Sequence, residues 1–184
     1  MNKSRILVLS ASLVLTTVAL AGCSTFGSRT EAPAVPVAAN TKVGTAVGET
    51  APDFQLSALD GTQLKLVDLH GQPAVLIFWT AWCPVCKEEA PHFNQLAATY
   101  ESQGVRVVGI NIQDSPARTE GGVKEFAIKY KVVRDPDASV TRRYKVTGTP
   151  TIIFLDRSGV VRYFGNELPE DYASRLAALI EQKS

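Results

Sequence analysis

Histidine and cysteine are scarce in this chain of 184 residues, which holds two of the first and three of the second. A closed structural zinc site takes four ligands. Besides Cys83 and Cys86 the chain offers only His70, His92 and Cys23, the last expected to be lipidated, so zinc is a poor reading of the pair. Charge of one sign is also missing: 19 basic residues face 18 acidic ones, with no basic run. That balance offers nothing to a nucleic-acid backbone. The longest apolar stretch, Ile6 to Leu20, is shorter than the roughly 20 residues a spanning helix needs. The composition, 45% hydrophobic and 20% charged, suits one globular domain with appendages.

What is present begins with a targeting segment. Lys3 and Arg5 give a short positive start, Ile6 to Leu20 an apolar middle, and Leu20-Ala21-Gly22-Cys23 a small-residue cleavage site. The last four residues resemble the bacterial lipobox, which implies a signal peptide over residues 1–22 and an acylated Cys23 at the mature N-terminus. An uncleaved membrane anchor is the alternative. Removing Lys3 and Arg5 leaves 17 basic against 18 acidic residues. Residues 23–46 are rich in Ala, Pro, Thr, Ser and Val without amphipathic period, and read as a flexible tether. Residues 47–184 form the domain. With Cys23 set aside, one cysteine pair remains.

That pair sits where chemistry is expected. Ala74 to Trp79 is a short, uncharged, β-prone run and reads as a buried strand. Cys83 and Cys86 follow where the strand turns into a helix. The first N–H groups of a helix and its dipole stabilise a thiolate there, so the thiol pKa falls below that of a free cysteine. With two residues between them, the sulfurs lie within bonding reach. Cys83 is expected to be the exposed attacker and Cys86 the buried resolver. A purely structural disulfide closing so small a loop would contribute little entropy.

Trp82-Cys83-Pro84-Val85-Cys86, followed by Glu89 and Pro91, resembles the thioredoxin superfamily, and most closely its membrane-tethered TlpA/ResA-like thiol–disulfide oxidoreductases. The resemblance covers roughly Gly48 to Leu179. It implies an α/β thioredoxin fold: a central mixed sheet flanked by helices, with an N-terminal β-hairpin and a central helical insertion. Ala51 to Val67 fits the hairpin, turning at Asp60-Gly61. His70 is read as a surface turn residue. A helix is expected over Pro84 to Ser102, bent at Pro91 and closed by Gly104. Val105 to Ile112 reads as a second buried parallel strand, Asp114 to Thr119 as a loop, and Gly122 to Lys131 as the inserted helix. Then come a short strand at Val132-Val133, a helix over Ala138 to Tyr144, and a hairpin turning at Asp156 to Gly159. A last helix begins at Pro169-Glu170-Asp171.

The resemblance also implies roles. Trp82, Pro84 and Val85 would flank the substrate. Pro150, in Gly148-Thr149-Pro150-Thr151, would be cis beside the cysteines, and Thr149 would offer backbone groups to an extended substrate strand. Thioredoxins commonly place an Asp six residues before the first cysteine; Ile77 stands there. TlpA/ResA-like proteins place an acid three residues after the second cysteine, here Glu89. On the same face as Cys86, and buried, Glu89 would relay the resolving proton. No cofactor or metal is implied. Partners would be disulfide-containing envelope proteins, apocytochrome c among them, a membrane thiol electron donor, and the membrane itself through the lipid. The molecule is read as a monomer in the cell envelope, facing the periplasm. Direction of electron flow stays open between reductant and disulfide-forming oxidant. A thiol peroxidase would suit Thr80 but meets Leu76 where its proline belongs. Copper delivery would need a longer cysteine spacing and a distant histidine.

Overall fold

A computed structural model describes residues 42–182. The signal segment, Cys23 and the tether up to residue 41 lie outside the described residues. Among those described, no helix is long and apolar enough to cross a membrane.

The centre of the domain is β3 (Ala74–Trp79), in which all six side chains are buried. A strand buried on both faces gains about 1.5–3 kcal/mol for each large aliphatic or aromatic side chain it removes from water, which explains its continuous apolar run. Around it the sheet is mixed. Earlier in the chain are β1 (Gln55–Ala58) and β2 (Gln63–Lys65). Later come β4 (Arg106–Ile112), β5 (Lys131–Asp135), β6 (Thr151–Leu155) and β7 (Val161–Gly165). The order is β2-β1-β5-β4-β3-β6-β7. β3, β4 and β5 are parallel, while β1, β2, β6 and β7 join antiparallel. This is the thioredoxin fold with an added N-terminal hairpin.

Alternation along β3 feeds two apolar layers. Val75 and Ile77 pack with Phe93 and Leu96 of α1 (Pro84–Tyr100) and with Leu176 and Leu179 of α4 (Tyr172–Glu181). Leu76 and Phe78 pack on the opposite face against Phe54, Leu66 and Tyr144. Tyr144, just after α3 (Ser139–Arg143), donates its hydroxyl to the Pro52 carbonyl at 2.7 Å, pinning the chain before the hairpin to the sheet. α1 runs on through Pro91, which is exposed, and the chain ends its following 3₁₀ turn at Gly104 with φ +89°. His70 is exposed.

Two stretches differ from expectation. The inserted helix, α2, spans Pro116–Glu125, so most of the loop expected over Asp114 to Thr119 is helical. Ser115 caps it, accepting the Arg118 N–H, and Pro116 supplies a preset φ at its first position. It stops early because Ala127 takes φ +51° while Asn94 binds both the Ala127 carbonyl and the Lys129 N–H. Residues 42–46, assigned above to the tether, are held in place instead. Gly44 N–H donates to the Thr50 carbonyl at 2.9 Å, Ala46 N–H to the Glu49 carboxylate, and Thr45 is buried.

Candidate active site

The strand-to-helix corner after β3 carries the cysteines. Thr80 to Cys83 forms a turn in which the Cys83 N–H donates to the Thr80 carbonyl at 3.3 Å. Cys83 is thereby set at the N-cap of α1, with Pro84 at the first helical position. Cys83 and Cys86 are joined as a disulfide, their Cα atoms 5.2 Å apart. The Cys86 N–H points at Cys83 Sγ from 3.1 Å, the contact through which a helix start favours a thiolate.

Both sulfurs are buried. Cys83 is 5% exposed and Cys86 3%, which corrects the expected contrast between an exposed attacker and a buried resolver. Trp79, Ala90, Phe126 and Val132 form one buried cluster with the bridge. Access differs nonetheless. Cys83 borders a groove of about 420 Å³ with Trp82, Pro84, Val85 and Thr149, whereas Cys86 does not line it. Ile112 and Val146 extend the groove, and no charged side chain lines it. Trp82 and Val85 stand at its rim, 67% and 50% exposed.

The loop facing the bridge contains a cis Thr149–Pro150 peptide. Cys83 Sγ lies 3.4 Å from the Thr149 carbonyl oxygen, a position from which a reduced Cys83 thiol would donate to it. Pro150 is buried and lines an adjoining cleft with Val85, Glu89 and Phe93. Asn166 holds this loop from the other side, its Nδ2 donating to the Pro150 carbonyl and to Thr151 Oγ1.

Glu89 lies one turn beyond Cys86 on α1, but it is not buried. Its side chain is 36% exposed and its Oε2 sits 3.1 Å from Nδ1 of His92, which draws the carboxylate toward solvent. Ile77 fills the place of the thioredoxin Asp and is buried among aliphatic side chains. Among the described residues, no group of three or more His, Cys, Asp or Glu side chains is placed to hold a metal ion.

A polar cluster behind the corner escaped the sequence reading. Asp114, after β4, accepts the Ala81 N–H at 2.7 Å. The signal was available: Asn111 and Asp114 interrupt an otherwise apolar strand end, where buried polar side chains need partners. The hydroxyl of Thr80 and the indole N–H of Trp79 are buried without a hydrogen-bond partner among the described residues.

The sequence model of the AhpC/TSA family matches residues 47–164. The chain belongs to this family. It is 34% identical over 140 residues to the thiol-disulfide oxidoreductase ResA of Geobacillus thermodenitrificans, covering 75% of this chain and 80% of that one. The ResA of Bacillus subtilis is 33% identical over 114 residues, covering 62% of this chain and 64% of its own length. Among solved structures, a thiol:disulfide interchange protein DsbE from Chlorobium tepidum superposes with a TM-score of 0.68 at 30% identity, over 73% of this chain and 97% of that one. A secreted Mycobacterium tuberculosis disulfide oxidoreductase homologous to E. coli DsbE gives 0.60 at 31% identity, over 68% and 95%. This AhpC/TSA member is a ResA-like thiol–disulfide oxidoreductase, and Cys83 and Cys86 stand joined as a disulfide at its strand-to-helix corner.

Proposed function

We propose that this protein is a reductant of disulfides in cell-envelope proteins, apocytochrome c cysteines among them, held to a membrane by an acylated Cys23. The observation that carries the reading is the placement of Cys83 Sγ at the floor of an uncharged groove, with the Cys86 N–H on one side and the Thr149 carbonyl on the other. Reduced Cys83 attacks a partner's disulfide sulfur as a thiolate; that bond breaks, one partner thiolate leaves, and a mixed disulfide forms. Cys86 then gives up its proton, attacks Cys83 Sγ and releases the second partner thiolate, leaving the bridge closed. Two electrons pass to the partner, and a membrane thiol carrier restores them. Glu89, opening on the Pro150 cleft beside Val85, is the acceptor for the Cys86 proton.

Trp82, Pro84, Val85 and Thr149 border the groove with Cys83, Pro150 lines the adjoining cleft, and together they form the docking surface for an extended substrate segment. The uncharged wall and the half-exposed Trp82 and Val85 suit a polypeptide better than a small charged thiol. The molecule works as a monomer facing the periplasm and needs no cofactor beyond the dithiol. Redox titration tests the direction of flow. A midpoint potential near about −270 mV fits the reductant; one near about −120 mV assigns the protein to disulfide formation instead. Palmitate labelling of wild type, lost in Cys23→Ser, tests the anchor.

A further inference from the structure

Behind the cysteine corner runs a chain of buried polar groups. Asp114 is 5% exposed, and its Oδ2 accepts both the Ala81 N–H at 2.7 Å and the Asn111 Nδ2–H at 2.9 Å. Asn111, 1% exposed, presents its Oδ1 to the Thr119 hydroxyl of α2 at 2.8 Å. Arg134 of β5 donates to the Asp114 backbone carbonyl at 3.2 Å. A carboxylate is withdrawn from water only where charge-assisted hydrogen bonds replace its hydration. One of the bonds it makes here goes to the backbone of the turn that carries Cys83. α2 presses on the same turn, since a Cβ on Gly122 would lie 2.8 Å from the Ala81 methyl.

We propose that Asp114 is a positioning residue for the Cys83–Cys86 couple. It anchors the Thr80–Cys83 turn through the Ala81 N–H and sets a fixed negative charge beside it. The anchor holds Cys83 at the helix N-cap for attack. The charge disfavours the Cys83 thiolate, and because a stabilised reduced form makes an oxidant, it biases the couple toward reduction of its partners.

The other charges around the dithiol are arranged differently. On α1, Lys87 pairs with Glu125 of α2 at 2.7 Å, Glu88 is exposed, and Glu89 pairs with His92. Asp135 of β5 is buried under donors from Val140 and Thr141. Glu167, after β7, lines the cleft beyond Pro150. Among the described residues, Asp114 is the carboxylate bonded to the backbone of the corner itself.

Two variants of the full chain separate the anchor from the charge. Asp114→Asn retains an oxygen for Ala81 and Asn111 but drops the charge; Asp114→Ala drops both. The reduced proteins are titrated by ultraviolet thiolate absorbance, their midpoint potentials measured, and the pH-independent rate constant for a model disulfide determined. In Asp114→Asn, Cys83 should titrate about half a unit lower or more, with a less negative potential and a rate constant lowered by about twofold, since a less basic thiolate is a weaker nucleophile. In Asp114→Ala the same shifts should come with a several-fold lower rate constant. Wild-type titration and potential in Asp114→Asn overturn the proposal, as does a loss of thermal stability with those readouts unmoved. Should the alanine variant not fold, the asparagine titration decides alone. A wild type that turns over no disulfide defeats the functional reading, but the Cys83 titration still reads Asp114.

Discussion

Nδ1 of His92 lies 3.1 Å from Oε2 of Glu89, one turn apart on the exposed edge of α1. The pair is largely open to water, so its contribution to stability is about 0–1 kcal/mol. Its proposed importance is chemical, through the role assigned above to Glu89. Glu89 lines the cleft that contains Pro150 and Val85, and His92 fixes which way its carboxylate points. Replacing Glu89 with Gln should slow release of the mixed disulfide by about tenfold or more and flatten the pH–rate profile, while unfolding by urea stays close to wild type. Stopped-flow reduction of a model disulfide across pH checks this. An unaltered profile removes Glu89 from the reaction.

The asymmetry of access between the two sulfurs gives a second expectation. Cys83 borders the groove and Cys86 does not. Cys86→Ser should therefore trap partners on Cys83 as mixed disulfides that survive non-reducing electrophoresis, whereas Cys83→Ser should trap none. Equal trapping by both variants would mean that Cys86 also reaches the partner.

How much of this was legible follows from which physical signal each residue carries. Ala74 to Trp79 announces itself because a two-sided strand must be apolar throughout, and Asp60-Gly61 and Ser158-Gly159 mark turns whose positive φ only a few residues adopt readily. The cysteine spacing announced the Cys83–Cys86 bridge. The start of α2 was missed although Ser115-Pro116 is a cap followed by a preset φ, because Ala117 to Glu120 shows no apolar period and its only buried side chain there is Thr119. Burial of Cys83 was not legible: the buried cluster that holds it includes Phe126 and Val132, more than forty residues away in the chain. Nor was the outward turn of Glu89, which depends on a rotamer pairing with His92.

Gly122 tests the clamp on the cysteine corner. Inside a helix, Gly→Ala normally adds about 0.8–1.0 kcal/mol. Here the new methyl would stand 2.8 Å from the Ala81 Cβ and 2.9 Å from Trp79 Cζ3, neither of which can swing aside as a long flexible side chain would. Overpacking at such distances costs about 1–3 kcal/mol. At these distances the clash outweighs the helix gain, so Gly122→Ala should lower stability by up to about 2 kcal/mol in urea unfolding. A stabilised variant would show that the corner yields freely.

The two deeply buried tyrosines, Tyr130 and Tyr144, tie stability to alkaline pH. Burial pushes both phenols well above their ordinary value of 10.0; at Tyr144 the neighbouring Asp53 adds to the rise and Arg143 opposes it. In the unfolded chain each phenol loses its proton near pH 10, whereas in the native state it keeps it. The unfolded state then binds fewer protons, so stability is intact below about pH 10 and falls above it. The slope is about 1.4 kcal/mol per pH unit for each tyrosine. Tyr144→Phe removes one of the two. It should lose about 1 kcal/mol at neutral pH, because the hydrogen bond to the Pro52 carbonyl goes with the hydroxyl, yet the alkaline slope should become shallower, with Tyr130 and the less buried Tyr163 left to carry it. Urea midpoints taken across the alkaline range for both proteins would expose the difference. Parallel curves would mean that Tyr144 ionises as readily in the fold as out of it, which its complete burial forbids.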